Sequence, residues 1–186
     1  MVVSGVTSWP SGKDTVKTTN LTDTGFTVVW VSAEKEEGSV SYGTSATALS
    51  STASDERDSV TNKGKYYVHS VSLTRLQPET DYYFEVVSGD NTYDGFETTT
   101  FATLNTPPSY VSITGSVSNL PDTNEGVLIA YIRDADSTGT SGNSLPISKH
   151  QANRGSWEIY FSGSDQYPHP FVPDLYKRPG RRAYLV

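Results

Sequence analysis

Apolar and polar residues alternate through much of the first hundred positions, which is the two-residue period of β-strands with one face in a core. Two such strands, residues 66–76 and 80–88, flank Pro78, which cannot donate a backbone hydrogen bond and so ends the first strand. The Leu-x-Pro-x-x-x-Tyr spacing from Leu76 to Tyr82 brings a ring back over this corner, where its hydroxyl can reach upstream backbone. The pattern predicts a tyrosine corner between two strands.

Other segments of the first half predict the remaining strands. Phe26, Val28 and Trp30 share one face of a strand that follows a turn at residues 20–25. Further strands are expected at 2–9, continuing over 15–19 after a break at 10–12, and at 39–44 and 96–104. Hairpin turns are expected at 33–38 and 89–91. A polar connection at 45–65 has room for one short strand. The Asn-Thr-Pro-Pro sequence at 105–108 predicts a boundary.

The corner and the tryptophan of the second strand resemble the fibronectin type III domain. The Ser-Tyr-Gly-Thr-Ser pattern at 41–45, the long polar connection and the His-Ser-Val-Ser-Leu sequence at 69–73 resemble the variant found ahead of purple acid phosphatase catalytic domains. The resemblance implies a β-sandwich over residues 1–104, with a core that includes Trp30, Leu76, Pro78 and Tyr82. It also implies a non-catalytic module, used as a spacer, a binding surface or a brace for a neighbouring enzyme.

A second pattern begins after the boundary. Residues 111–117 alternate, residues 126–132 form an apolar strand, and residues 156–161 place Trp157 on one face with two other large apolar side chains. Together with the Ser-Leu-Pro-Ile-Ser segment at 144–148, these strands resemble the carboxypeptidase regulatory-like, transthyretin-like sandwiches. The resemblance implies a second non-catalytic sandwich over residues 105–166, although about seven strands make a complete sandwich and only three are clear here.

Residues 167–186 form a Pro-rich basic tail. Its apolar residues are candidates for assembly contacts: Phe171, Val172, Tyr184, Leu185 and Val186. The prolines exclude a central strand, because proline cannot donate to a sheet ladder. The apolar end could pair with a sheet edge of its own second domain or of a neighbouring molecule.

Composition and charge narrow the classes of function. The tail has four basic residues and one acidic residue, and therefore a charge of +3. Because the net charge of the whole chain is −7, the rest of the chain carries −10. An acidic body disfavours nucleic-acid binding, and the basic tail could dock on a neighbour. With no cysteine, disulfides, zinc–thiolate sites and thiol nucleophiles are excluded. No apolar run is long enough to span a bilayer, and the first residues lack the pattern of a signal peptide.

The acidic stretch that contains Asp134 and Asp136 could be interpreted as either of two functional sites. Asp134 and Asp136 follow an apolar strand, as in the first motif of haloacid dehalogenase-like phosphatases, but that chemistry needs an α/β domain and this chain shows no helical period. Asp134, Asp136 and Thr138 also match the start of a calcium loop, in which Leu145 stands where a glutamate is expected. We interpret the stretch as an acidic loop and leave open whether it binds calcium.

Three histidines, a glycosylation triplet and three tyrosines are further candidate functional residues, and each also has an explanation that involves no function. His69, His150 and His169 show no metal-ligand spacing, and strand parity places His69 on the core face. The Asn-Leu-Thr triplet at Asn20 is a glycosylation acceptor sequence on a predicted turn, which matters only if a glycosylating host exports the protein, and chance occurrence also explains it. Exposed rings at Tyr66, Tyr83 and Tyr93 could stack on sugars or anchor a partner, although cross-strand packing explains such rings equally well.

The sequence thus predicts an all-β chain of two consecutive Greek-key sandwiches. We expect a non-catalytic structural or adhesive protein, extracellular or at the cell surface, that self-assembles through its tail and needs no cofactor or metal. Its expected partners are itself or another surface protein, with carbohydrate as a further candidate, and not nucleic acid. The alternative is an accessory or carbohydrate-binding module of a larger secreted enzyme.

Overall fold

The computed structural model describes residues 11–103, 110–117, 125–130, 146–151, 155–162 and 183–185. Several features expected from the sequence lie outside these residues: the strand at 2–9, the boundary at 105–108, the Asp134–Asp136 loop with Thr138 and Leu145, and His169, Phe171, Val172 and Val186.

The described residues form twelve strands and one 3₁₀ turn. Their bounds are a turn at Lys13–Thr15, then β1 Lys17–Thr19, β2 Gly25–Glu36, β3 Gly38–Gly43, β4 Ser51–Ser54, β5 Tyr66–Thr74, β6 Asp81–Ser88, β7 Asn91–Thr99, β8 Tyr110–Val117, β9 Gly126–Ala130, β10 Ile147–Gln151, β11 Gly155–Ser162 and β12 Ala183–Leu185. The prediction of an all-β sandwich fold is therefore confirmed.

The first seven strands form an FnIII-like sandwich. One sheet has the order β1-β2-β5 and the other β4-β3-β6-β7, and all neighbouring strands are antiparallel. The alternating residues of both sheets point inward and form one core, whose buried members are Val16, Phe26, Val28, Trp30, Val40, Val71, Leu73, Leu76, Tyr82, Phe84 and Val86. Trp30 lies at its centre with no exposed surface, and its indole N–H donates to Ser88 Oγ at 2.8 Å.

The corner between β5 and β6 is closed by side-chain hydrogen bonds. The Gln77 backbone N–H donates to Tyr82 Oη at 2.9 Å, which is the bond that defines a tyrosine corner. Thr100 Oγ1 donates to the Gln77 carbonyl at 2.6 Å and so ties the corner to the end of β7. Pro78 is half-buried in the corner.

Two hairpins are tighter than the sequence pattern predicts. The segment 33–38 was expected to be a turn, but β2 continues to Glu36 and β3 starts at Gly38. Similarly, β7 spans Asn91–Thr99 rather than 96–104, because a two-residue turn with Gly89 at φ 56° returns the chain at once. A bulge at Gly95, with φ 81°, then accommodates the extra residue opposite the β6 register shift.

The C-terminal strands form two smaller sheets. β8 and β11 pair over eight residues each, from Tyr110 opposite Ser162 to Val117 opposite Gly155. The other sheet has the order β10-β9-β12, so the apolar strand β9 is its centre and all five of its residues are buried. The short apolar segment at the end of the chain thus pairs, as β12, with β9 of its own chain.

Candidate functional site

The outer face of the β2–β5 pair is apolar and is covered by β9. Val29 and Val31 of β2 and Val68 of β5 form a buried cluster with Val127 and Ile129 of β9. The cause lies in the sequence of β2, which reads Val-Val-Trp-Val at positions 28–31 without a polar residue. A strand of this kind has no face suited to solvent, so both of its faces must pack against other parts of the protein.

A glutamate directly before β9 fixes one end of this junction. Glu125 Oε2 accepts the backbone N–H groups of Tyr67 at 2.9 Å and Val68 at 3.1 Å. The pairing register between β2 and β5 shifts next to this point, and such irregularities leave backbone groups outside the ladder. The Glu125 side chain is only 10% exposed, and Lys35 Nζ and an Arg57 nitrogen each lie 3.6 Å from its oxygens. The carboxylate therefore accepts from two part-buried donors, and Lys35 and Arg57 balance its charge.

Asp55 and Arg57 stand behind Glu125 and hold the connection after β4 against β5. Arg57 donates from Nε to Asp55 Oδ1 at 2.7 Å and from its second terminal nitrogen to Oδ2 at 2.9 Å. The Ser70 backbone N–H also donates to Asp55, at 3.0 Å. Burial opposes ionisation of Asp55, but these donors outweigh it and lower the pKa of the carboxyl below its usual value. Much of the polar connection expected at 45–65 is thus anchored to the sandwich.

Asn20 fixes the other end of the junction. Its side-chain N–H donates to the Ser148 carbonyl at 3.2 Å, and the Ser148 N–H donates to Asn20 Oδ1 at 2.9 Å. The Asn20 backbone N–H donates to the Pro146 carbonyl at 3.1 Å, and Thr19 Oγ1 lies 2.7 Å from Ser148 Oγ. Asn20 has φ 52°, a left-handed conformation that asparagine tolerates better than most residues. The side-chain nitrogen of Asn20, the acceptor position of the triplet, is therefore engaged in a structural contact.

His69 is sealed in the core beside this junction. Its ring stacks on Trp30 with centroids 4.5 Å apart, and its side chain has no exposed surface. Nδ1 lies 3.8 Å from Asp55 Oδ2 and has no hydrogen-bond partner among the described residues. Burial lowers the pKa of His69 from 6.5 to about 4, although the nearby Asp55 carboxylate favours the charged form. The imidazole is thus neutral near pH 7.

The structure places the expected core residues as follows. Trp30, Leu76 and Tyr82 are buried, with at most 6% of their surface exposed. Trp157 lies in β11 opposite Gly115, and His150 lies in β10 opposite Val127. Of the tail residues, Tyr184 and Leu185 lie in β12, opposite Ile129 and Leu128.

The three tyrosines expected to be exposed are all half-buried. The Arg57 guanidinium lies 3.4 Å above the Tyr66 ring centre, and Tyr93 packs against the core. Tyr83 alone lines a surface groove of about 330 Å³, which also includes Glu85, Asp94 and Glu97. Two of the three rings are thus engaged in intramolecular packing, and Tyr83 borders the groove.

Within the ranges given above, no three histidine or carboxylate side chains are grouped as metal ligands would be. Within the same ranges, no helix has the length and apolarity that crossing a membrane requires.

Sequence reasoning did not identify the junction residues Asn20, Glu125 and Val31. Two signals were available: the run without alternation in β2, and the apolar strand β9, whose five residues include no polar side chain. No local signal could reveal Glu125, because its function depends on two amides that lie 57 and 58 residues away in the sequence.

The strand order and the tyrosine corner define the N-terminal half as an FnIII-like β-sandwich. Residues 15–104 match a family model described as the purple acid phosphatase N-terminal domain. A solved structure of the chicken CNTN1 FN1–FN3 domains is 13% identical, with a TM-score of 0.33; the match covers 82% of this chain and 55% of that one. The chain thus spans little more than half the length of that structure. Comparison with curated proteins gives no match.

Proposed function

We propose that this chain is a non-catalytic structural or adhesive part of an extracellular or cell-surface protein, in which an FnIII-like sandwich carries the C-terminal strands as a rigid extension. The observation that carries the proposal is the covered outer face of β2–β5. An apolar cluster lies between two polar contacts, at Glu125 and at Asn20. Such a junction resists both sliding and rotation, because apolar burial is non-directional and the hydrogen bonds at its two ends fix the register.

The charged groups of the junction support a structural role. Asp55 and Arg57 saturate each other, Glu125 accepts two backbone amides, and His69 is neutral and sealed from solvent. A catalytic acid or base needs access to a substrate proton and a pKa near the working pH. These four groups are buried or part-buried, and their hydrogen bonds and packing hold strands together. We therefore propose that the chain has no catalytic activity of its own.

The family match favours a second candidate function. A domain resembling the N-terminal domain of purple acid phosphatases could be the accessory module of a larger secreted enzyme, and the Tyr83 groove could then contact carbohydrate. An aromatic ring beside carboxylates is suited to sugar hydroxyls. Binding of the chain to polysaccharides, lost in Tyr83→Ser and retained in Tyr93→Ser, would favour this candidate over the structural one.

The rigid extension is tested by measuring a distance between the two halves. Because the chain has no cysteine, Thr92→Cys and Ser116→Cys create two unique and exposed sites for spin labels. Pulsed electron paramagnetic resonance should give a single narrow distance population. A broad distribution in the otherwise unchanged chain would overturn the proposal.

A matched pair of variants shows whether the junction causes the rigidity. Val127→Asp places a charge in the apolar cluster and should broaden the distance distribution. Val87→Asp introduces the same charge at a half-exposed site on β6 and should leave the distribution narrow. If Val127→Asp prevents folding, Glu125→Gln provides the milder test, since it keeps the shape of the side chain and removes its charge.

A further inference from the structure

The strand β12 pairs with β9 over fewer residues than β10 does. It pairs with β9 over three residues, Ala183 opposite Ala130 through Leu185 opposite Leu128. On the other edge of β9, β10 pairs over all five residues. Every residue of β9 is buried, and the edge that β12 covers would otherwise present unpaired backbone N–H and C=O groups, so it needs a strand beside it.

The connection before β12 is long enough to reach another molecule. Twenty residues, 163–182, separate it from the end of β11 at Ser162. A chain of that length spans at most about 70 Å when extended. β1 is equally short, but it is tied to β2 by only five residues, 20–24, and cannot exchange in this way.

We propose that β12 is an exchangeable strand, which occupies the β9 edge of its own chain or that of a second copy in the same register. This inference rests on the proposed structural role. It adds that copies of the chain associate by exchanging β12. The contacts are identical in both arrangements, so only the effective concentration of the tethered strand favours the closed form, and exchange of identical elements is a low-cost route to oligomers.

The charges of the tail of one copy and the body of another are complementary. Arg181 and Arg182 directly precede β12, in a tail of charge +3, while the rest of the chain carries −10. A tail that enters another copy therefore approaches a body of opposite charge, which attracts it before the strand is seated. A second copy also brings the strand that is seen in register with Leu128–Ala130.

The test uses two single-cysteine proteins in one mixture. Ala130→Cys and Ala183→Cys are directly opposite in the ladder, at a Cα separation that suits a disulfide, and the natural chain has no cysteine. One protein carries a mass tag. A disulfide between them can form only when β12 of one molecule lies on β9 of the other, because Ala130 is only 2% exposed.

Heterodimers of the two single-cysteine proteins are the expected product. For a tether of this length the effective concentration is on the order of 1 mM. At that protein concentration roughly half of the β9 edges should hold a partner's strand, and at about 10 μM roughly one per cent should. Heterodimers no more abundant than in the control would overturn exchange.

The control is a mixture of Ala130→Cys with Ile147→Cys, the position opposite Ala130 on β10. A double variant, Ala130→Cys with Ala183→Cys in one chain, should form its disulfide internally at low concentration, which shows that the cysteines leave the register intact. If only the exchange proposal is wrong, the spin-label distance distribution stays narrow. If the rigid-extension proposal is wrong, that distribution is broad. The two proposals can therefore fail separately.

Discussion

The two faces of β2 differ in what covers them, although both are buried from Gly25 to Ser32. The inner face packs on the opposite sheet of its own sandwich, through Phe26, Val28 and Trp30. The outer face packs on β9, a strand about one hundred residues later, through Val29 and Val31. By contrast, β6 in the other sheet keeps a face with half-exposed Tyr83 and Glu85. Burial on both sides therefore distinguishes the strand that carries the junction from one that closes a simple sandwich.

The largest expected effect comes from breaking the inner face. Trp30→Ala removes a side chain with no exposed surface, together with its hydrogen bond to Ser88 and its stacking on His69. Such truncations cost about 3–5 kcal/mol. Urea unfolding followed by far-ultraviolet circular dichroism should show this loss. A cost below about 1 kcal/mol would contradict the central position of Trp30.

The inner face should also make stability depend on pH through His69. Because the folded pKa of about 4 lies below the unfolded value of 6.5, the unfolded chain takes up the proton first as the pH falls. The stabilisation is complete above pH 6.5 and should decline between pH 6.5 and 4, by about 3 kcal/mol in total. Denaturation curves across this range measure the decline.

His69→Gln is the control for this dependence, because it should flatten the curve between pH 6.5 and 4. Asp55, whose pKa is lowered, adds a loss of stability only below its usual value of 3.8. A His69 ring resonance that titrates near pH 6.5 in the folded protein would contradict the burial described here.

Breaking the outer face should cost less. Val31→Ala removes two buried methyl groups from the cluster with Val127 and Ile129, worth about 2 kcal/mol. The loss should appear both in urea unfolding and as a broader spin-label distance. Trp30→Ala, in conditions where it remains folded, should leave that distance narrow, and a broadening there would contradict the separation of the two faces.

The smallest expected effect concerns the Asn20 end of the junction. Asn20→Gly keeps the left-handed backbone without strain but removes the side-chain hydrogen bonds to Ser148, at a cost of about 1 kcal/mol. Asn20→Ala should cost about 1 kcal/mol more, because alanine disfavours that conformation. Equal stability of the two variants in chemical denaturation would mean that φ at this position is not constrained.

Local patterns in the sequence predicted much of the fold. The alternation through 66–76 and 80–88 and the Leu76–Tyr82 spacing involve neighbours in the chain, so they determine which faces turn inward and where the corner lies. The hairpin ends were predicted less well, since a strand can continue wherever a glycine such as Gly89 closes the turn in two residues.

The amino-acid sequence by itself determined the all-β class, the FnIII-like sandwich and the presence of an apolar strand at 126–130. Only the tertiary structure decided that this strand covers β2, that the Glu125 carboxylate accepts the amides of Tyr67 and Val68, and that the strand at Ala183–Leu185 returns to its own chain. The physical reason is that hydrophobic burial drives apolar faces together without specifying which ones. The choice among distant segments is made by hydrogen bonds and register, which exist only once the chain has folded.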